Sequence, residues 1–229
     1  PTWSAGMRLI AHRGFASTKP ENTVTAVEAA AEVADEIEID VRRCGTGELV
    51  VIHDETVDRV TDGTGAVADY ARSDLDALDV LGTDRGVPTL AAVLRAIPDH
   101  VGVNAELKER GTEADALSTI ETLHPHSIVS SFSRDVLAAC RAADPTVPRA
   151  YITDRPGTDG VEVAIDLECE FLHPSSECCT ERLVASAHRA GMSVNAWTVD
   201  TPADGAALAA AGVDGLIADR PDVLPESAL

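Results

Sequence analysis

The chain reads as an α/β fold, a closed barrel of about eight parallel strands covered by helices, with a small inserted subdomain. Three observations predict it. Short β-branched apolar runs alternate with helical segments along most of the 229 residues, which argues for a parallel sheet wrapped in helices. The number of strands approaches the eight of a closed barrel, and such barrels commonly form one domain of this length. The alternation dissolves only over residues 55–88, rich in Asp, Gly and Thr with weak helical signal near 71–78. Irregular stretches of that length often act as lids. The expected organisation is a single domain, 1–229, with an insertion or cap at about 55–88.

In chain order the strands fall at 8–11, 36–41, 49–52, 101–107, 127–131, 150–153, 170–173, 193–198 and 215–218. Helices fall between them at 24–34, 90–97, 113–123, 134–143, 159–166, 181–190 and 202–211. Asn22-Thr23 is an N-cap signal for the first helix. Between Val41 and Leu49 only a short polar, Gly-containing link remains, too short for a parallel crossover, so these strands form a hairpin. A turn centred on Gly45-Thr46 pairs residues whose numbers sum to about 91 and sets Glu38 opposite His53. Asp40 shares the Glu38 face, because side chains alternate along a strand.

Composition narrows the partners. Acidic residues number 39 against 18 basic ones, a net charge of -21, and only Lys19 and Lys108 among the basic residues are lysines. This describes a strongly acidic surface of the kind suited to a high-salt, halophilic cytoplasm, where the Debye length at 1 M is about 3 Å. Nucleic acid is disfavoured, since no basic stripe exists to neutralise phosphates. No apolar segment is long enough to span a bilayer, so no stable membrane insertion is expected. Residues 1–6 show no signal-peptide pattern, although residue 1 is not Met and the N-terminus can be incomplete. A cytoplasmic location follows as an expectation. The five cysteines lack paired zinc-site spacing and read as reduced thiols; Cys178-Cys179 with His173 and His188 is a weak metal-cluster alternative.

The chemistry gathers at strand ends. His12 follows the first strand and His53 the third, at the rim where parallel barrels build active sites. Glu38 and Asp40 point two carboxylates at one spot, and Glu106, ending another strand, can add a third. Oxygen ligands of this kind suit one divalent cation, Mg²⁺ or Ca²⁺, better than zinc. The competing reading leaves Glu38 and Asp40 as ordinary outward-facing strand residues. Arg13 and Lys108 are local cations for an anionic substrate, with a salt bridge to Glu106 an equal use for Lys108. Glu21 is a weaker candidate for the metal or phosphate. Asn22 has a supporting place that capping alone would explain. Trp197 offers a wall to a small polyol or packs in the core. His173 is a spare candidate, whereas His100, His124, His126 and His188 read as surface or helix residues.

The ordered series His12-Arg13-Gly14, Pro20-Glu21-Asn22-Thr23, Glu38-Ile39-Asp40, Val50-Val51-Ile52-His53-Asp54, Glu106-Leu107-Lys108 and Ser131-Phe132 resembles the glycerophosphodiester phosphodiesterase family. Ala196-Trp197-Thr198 and Gly212-Val213-Asp214-Gly215 extend the likeness over nearly the whole chain. The resemblance implies a TIM-type (β/α)8 barrel with a small inserted subdomain. It further implies that His12 and His53 are the general acid and base and that Glu38, Asp40 and Glu106 bind the metal. Ala105, Val60 and Ala218 depart from the family's usual residues and bear on substrate preference.

The expected reaction is metal-dependent hydrolysis of a small-molecule glycerophosphodiester to an alcohol and glycerol phosphate, through a cyclic phosphate. Two alternatives stand beside it: a phospholipase-like (lysophospholipase D) enzyme on the same barrel, and an inert metal- or glycerophosphate-binding barrel. The alcohol, the metal, the order of the histidines and the oligomeric state are open at this level.

Overall fold

The structure, a computed structural model, describes residues 6–224. Its strands are β1 (Arg8–His12), β2 (Glu36–Arg43), β3 (Leu49–Val51), β4 (Gly102–Leu107), β5 (Ser127–Ser131), β6 (Arg149–Thr153), β7 (Phe171–Pro174), β8 (Ser193–Val199) and β9 (Gly215–Ala218). The helices are α1 (Val24–Ala30), α2 (Arg72–Asp76), α3 (Leu90–Ala96), α4 (Glu113–Leu123), α5 (Arg134–Ala143), α6 (Asp159–Asp166), α7 (Glu181–Arg189) and α8 (Pro202–Ala210). The sheet order β1-β9-β8-β7-β6-β5-β4-β2-β3, with a further β1–β2 pairing, closes eight parallel strands into a barrel. β3 hangs antiparallel on β2 outside that ring.

Local chemistry accounts for most boundaries. Thr23, Thr89, Ser133, Thr180 and Thr201 each accept a hydrogen bond from a backbone N–H in the first turn of their helix, at α1, α3, α5, α7 and α8, satisfying a donor that the helix itself leaves free. α1 stops at Ala30, short of the expected residue 34. The chain must turn there so that the Asp35 carboxylate can accept from Leu9 N at 2.8 Å and lead into β2.

The strands are buried on both faces, as parallel barrel strands are. Outward positions such as Leu9, Ile37, Ile39, Val103 and Leu216 pack under helix residues including Val27, Leu94 and Leu117 in the main core. The intervening positions are strongly polar: Arg8, Glu36, Glu38, Asp40, Asn104, Ser130, His173 and Asn195 are all buried. A smaller apolar cluster, Cys44, Val50, Ile52, Val57, Val60, Val67, Leu75, Val80 and Val87, holds the 55–88 segment against β3.

The hairpin is present, but its register is one residue away from the expected one. Val41, Arg42 and Arg43 pair with Val51, Val50 and Leu49. Cys44 N bonds Glu48 O at 3.0 Å and Gly47 N bonds Cys44 O at 2.9 Å, with Gly47 in the left-handed region at φ 102°. The turn therefore centres on Thr46. β3 ends at Val51, so His53 lies beyond the ladder and is not paired with Glu38.

Candidate active site

The C-terminal ends of the barrel strands surround a cleft of about 280 Å³ lined by His12, Glu38, His53, Glu106, Lys108 and Trp197 among others. Its centre is acidic. Glu38 and Asp40 lie inside the barrel, both buried, and not on its outer face. Glu38, Asp40 and Glu106 each bring one carboxylate oxygen within 4.8 Å of the other two. Among the described residues, Cys178, Cys179, His173 and His188 form no comparable group. All five cysteines are free.

Three carboxylates that close together cannot all ionise without compensation. Burial, with repulsion from Asp40, pushes the Glu38 carboxyl up to about 8. The same two causes raise Glu106, against the opposing Lys108 ammonium. Asp40 is held low despite its burial, because Lys108 and Arg13 favour its charge. Lys108 Nζ stands 2.6 Å from Glu106 Oε1 and 3.3 Å from Asp40 Oδ1. Arg13 Nε lies 3.2 Å from Asp40 Oδ2. Glu38 Oε1 is buried without a partner. An all-oxygen set with an unpaired buried oxygen is the donor chemistry that hard divalent cations take.

The turn after β1 builds one side of this site. Arg13 and Gly14 adopt φ 51° and 77°, which directs Arg13 N to Glu38 Oε2 at 3.0 Å. A Cβ at Gly14 would approach Ala26 Cβ to 2.8 Å, so α1 can close on this turn only because residue 14 is glycine. Asn22, also left-handed at φ 58°, donates from Nδ2 to Asp40 Oδ2 at 2.8 Å, and its Oδ1 accepts from Asp40 N at 3.3 Å. The helix cap is Thr23; Asn22 instead orients a carboxylate of the triad.

The two histidines have matching supports. His12 Nδ1 is 2.6 Å from Asp219 Oδ1, and its Nε2 is 4.0 Å from Glu38 Oε2. His53 Nδ1 is 2.6 Å from Asp54 Oδ1. Burial disfavours charge on His12, but the Asp219 hydrogen bond and the Glu38 charge outweigh it and raise its pKa. For His53 burial wins over the attraction of Asp40 and Asp54, and the pKa falls.

Glu21 does not join the triad. Its carboxylate is taken by Arg13 at 3.0 Å and by Arg59 at 2.7 and 2.8 Å. Trp197 lines the cleft, donates from its indole N–H to His173 O at 2.8 Å, and meets Phe132 edge-to-face at 5.5 Å. Lys19, the other lysine, is exposed between β1 and α1. His124 caps the end of α4, a helix residue within its surface-or-helix reading, and is buried there because the chain folds back into β5. Sequence reasoning assigned no site role to Asp54, Asp219, Arg59 or Asn104. Only Asp54 carried a local signal, its adjacency to His53.

The model of the glycerophosphoryl diester phosphodiesterase family matches residues 12–223. A glycerophosphodiester phosphodiesterase of Caldanaerobacter subterraneus is 34% identical over 232 residues, covering 94% of this chain and 95% of its own. One of Bacillus altitudinis is 30% identical over 233 residues, covering 94% and 95%. A solved Oleispira antarctica phosphodiesterase, in complex with the product sn-glycerol-3-phosphate, superposes with a TM-score of 0.89 at 28% identity, covering 97% of this chain and 96% of its own. With its closed barrel and a family match over most of its length, the chain belongs to the glycerophosphoryl diester phosphodiesterase family, a family of hydrolases.

Proposed function

We propose that this protein hydrolyses glycerophosphodiesters to an alcohol and glycerol phosphate, with His12 and His53 moving the protons. Glu38, Asp40 and Glu106 hold one divalent cation, Mg²⁺ or Ca²⁺. The observation that carries this reading is one cleft lined by Glu38, Glu106 and two imidazoles, with buried Asp40 beside the two carboxylates and each imidazole held through Nδ1 by an aspartate. The names of its relatives point the same way.

A cation held by Glu38, Asp40 and Glu106 would supply positive charge that stabilises the reacting phosphoryl group and would lower the pKa of the attacking glycerol hydroxyl. With Nδ1 engaged, Nε2 is the ring atom left on each histidine to take or give a proton. One imidazole accepts the hydroxyl proton as that oxygen attacks phosphorus. The bond from phosphorus to the leaving alcohol breaks, and the other imidazole protonates the alcohol. Water then opens the cyclic phosphate with the two roles reversed, which returns both histidines to their starting states. Arg13 and Lys108 offset charge on the phosphoryl oxygens. Trp197 walls the polyol side.

The test is release of glycerol phosphate from glycerophosphocholine and glycerophosphoethanolamine in molar KCl, with Mg²⁺, Ca²⁺ or EDTA. Metal-dependent release is expected, and His12→Ala and His53→Ala each lower kcat roughly 10²–10⁴-fold. Silence with every cation from folded protein, or near wild-type turnover in both variants, overturns the reading.

A further inference from the structure

Below the acidic triad the barrel interior holds a connected polar chain that the proposed proton transfers leave unused. It begins at the first residues of β1 and β2, where Arg8 Nη1 lies 3.0 Å from Glu36 Oε2. Arg8 Nη2 donates to Asn195 Oδ1 at 2.8 Å. A guanidinium only donates, so this contact fixes which end of the Asn195 amide is oxygen. The amide Nδ2 is thereby turned to His173 Nε2, 3.0 Å away. That ring nitrogen must accept, and the proton of the neutral imidazole therefore sits on Nδ1.

The arrangement is built rather than incidental. A Cβ at residue 215 would stand 2.6 Å from Asn195 Oδ1, so the amide keeps its place only beside a glycine. Burial, with the nearby Arg8 charge, drives the His173 pKa down to about 3, and the ring stays neutral at working pH. His173 is buried at 1% exposure, yet its Nδ1 has no hydrogen-bond partner. Asn104 Oδ1 is likewise buried and unpartnered. Both residues line the cleft. A buried donor left unpaired is costly and is normally satisfied by solvent or ligand.

We infer that His173 is a substrate-binding, specificity-determining residue whose Nδ1–H donates to the glycerol hydroxyl that takes no part in cleavage, with Asn104 Oδ1 as an acceptor for the same polyol end. This rests on the hydrolase reading above. A hydroxyl fits better than a phosphoryl oxygen, because the donor is uncharged and deeply buried, while the cleft's cationic side chains, Arg13 and Lys108, stand higher up, paired with the carboxylates. Such a floor separates glycerol from a diol that lacks its terminal hydroxyl.

The experiment compares kcat/KM, with divalent cation present, for glycerophosphocholine and the corresponding propane-1,2-diol phosphocholine diester. The second keeps the hydroxyl beside the ester and lacks the terminal one. Wild type should favour glycerophosphocholine roughly 10–100-fold. His173→Leu should lose that preference by falling on glycerophosphocholine alone. His173→Asn, whose amide N–H lies close to the Nδ1 position, should keep most of it. Equal loss on both substrates, or a wild type that does not discriminate, overturns the inference.

Binding of glycerol 3-phosphate and propane-1,2-diol phosphate, measured by calorimetry, separates the two readings. A wild type silent on both diesters defeats the hydrolase reading. The inference then stands or falls on whether His173→Leu weakens glycerol 3-phosphate at least about tenfold more than the diol phosphate. Thermal melting of each variant confirms that the protein compared is folded.

Discussion

A neutral imidazole has one donor and one acceptor, so whatever holds Nδ1 determines what Nε2 can do. Asp219 and Asp54 hold the two proposed catalytic rings in this way at 2.6 Å. Asp54 is kept near about 2, despite some burial, by hydrogen bonds from Arg59 and His53, so it remains an acceptor throughout the working range. On these roles, Asp219→Asn should leave the fold intact and lower kcat/KM roughly 10²–10⁴-fold, because the amide permits the wrong tautomer. The Asp219 hydrogen bond raises the His12 pKa; its loss should move the His12-dependent limb of the pH–rate profile to lower pH. A profile that keeps its position would show that Asp219 does not act through His12. Arg59 ties the same region together from the 55–88 segment, bonding both Asp54 and Glu21.

At the scale of elements, close packing overrides helix propensity. Gly205 lies in α8, where alanine would ordinarily be preferred by about 1 kcal/mol. A Cβ there would overlap the backbone carbonyl of Val223, in the turn Pro221–Val223 that packs against the helix. Gly205→Ala should therefore destabilise the fold by about 1–3 kcal/mol, seen as a lower denaturation midpoint with unchanged slope. A stabilised variant would show that the turn yields freely. The β2–β3 hairpin makes a related point. The short polar link correctly implies an antiparallel pair, but Gly47 takes the left-handed position and moves the pairing by one residue. In a strand such a slip changes which side chains face each other. His53 reaches the cleft because the chain leaves β2 after Ile52, whose N–H still bonds Asp40 O at 3.0 Å, and Arg42 Nε secures it by bonding His53 O at 2.9 Å.

At the scale of the whole molecule, the net charge of -21 surrounds a cleft whose own carboxylates are only partly compensated. Glu38 has a folded pKa of about 8, above its unfolded value, so the folded state binds its proton more tightly. Stability from that group is full below the unfolded value and is lost as pH rises through about 8. His12, also raised, acts in the same direction. His173, held down at about 3, acts in the opposite direction but only below about pH 6.5, where the unfolded ring gains its proton. Between about pH 7 and 8 the metal-free protein should lose about 1–2 kcal/mol and about 3–5 °C in Tm. A divalent cation should raise Tm more at pH 8 than at pH 6, since it binds the ionised carboxylates. Scanning calorimetry in EDTA and in Mg²⁺ or Ca²⁺ checks both statements, and a Tm indifferent to cation at pH 8 would count against the triad as the metal site. Among the described residues, no helix is long and apolar enough to cross a membrane.

The sequence by itself determined the alternation of strands and helices, most element ends, and the residue types gathered at the barrel rim. Those signals are local: a period of two in strands, capping residues ahead of helices, and histidines and carboxylates where strands stop. Glu38, Asp40 and Glu106 were legible as a set because two lie on one strand face and the third ends a neighbouring strand. Only the tertiary structure decided the partners. Asp219 meets His12 across 207 positions, Glu21 turns to arginines instead of the triad, and Asn195 sets the tautomer of His173. Such contacts depend on how a closed barrel brings distant strands to one axis, and no spacing along the chain encodes that distance.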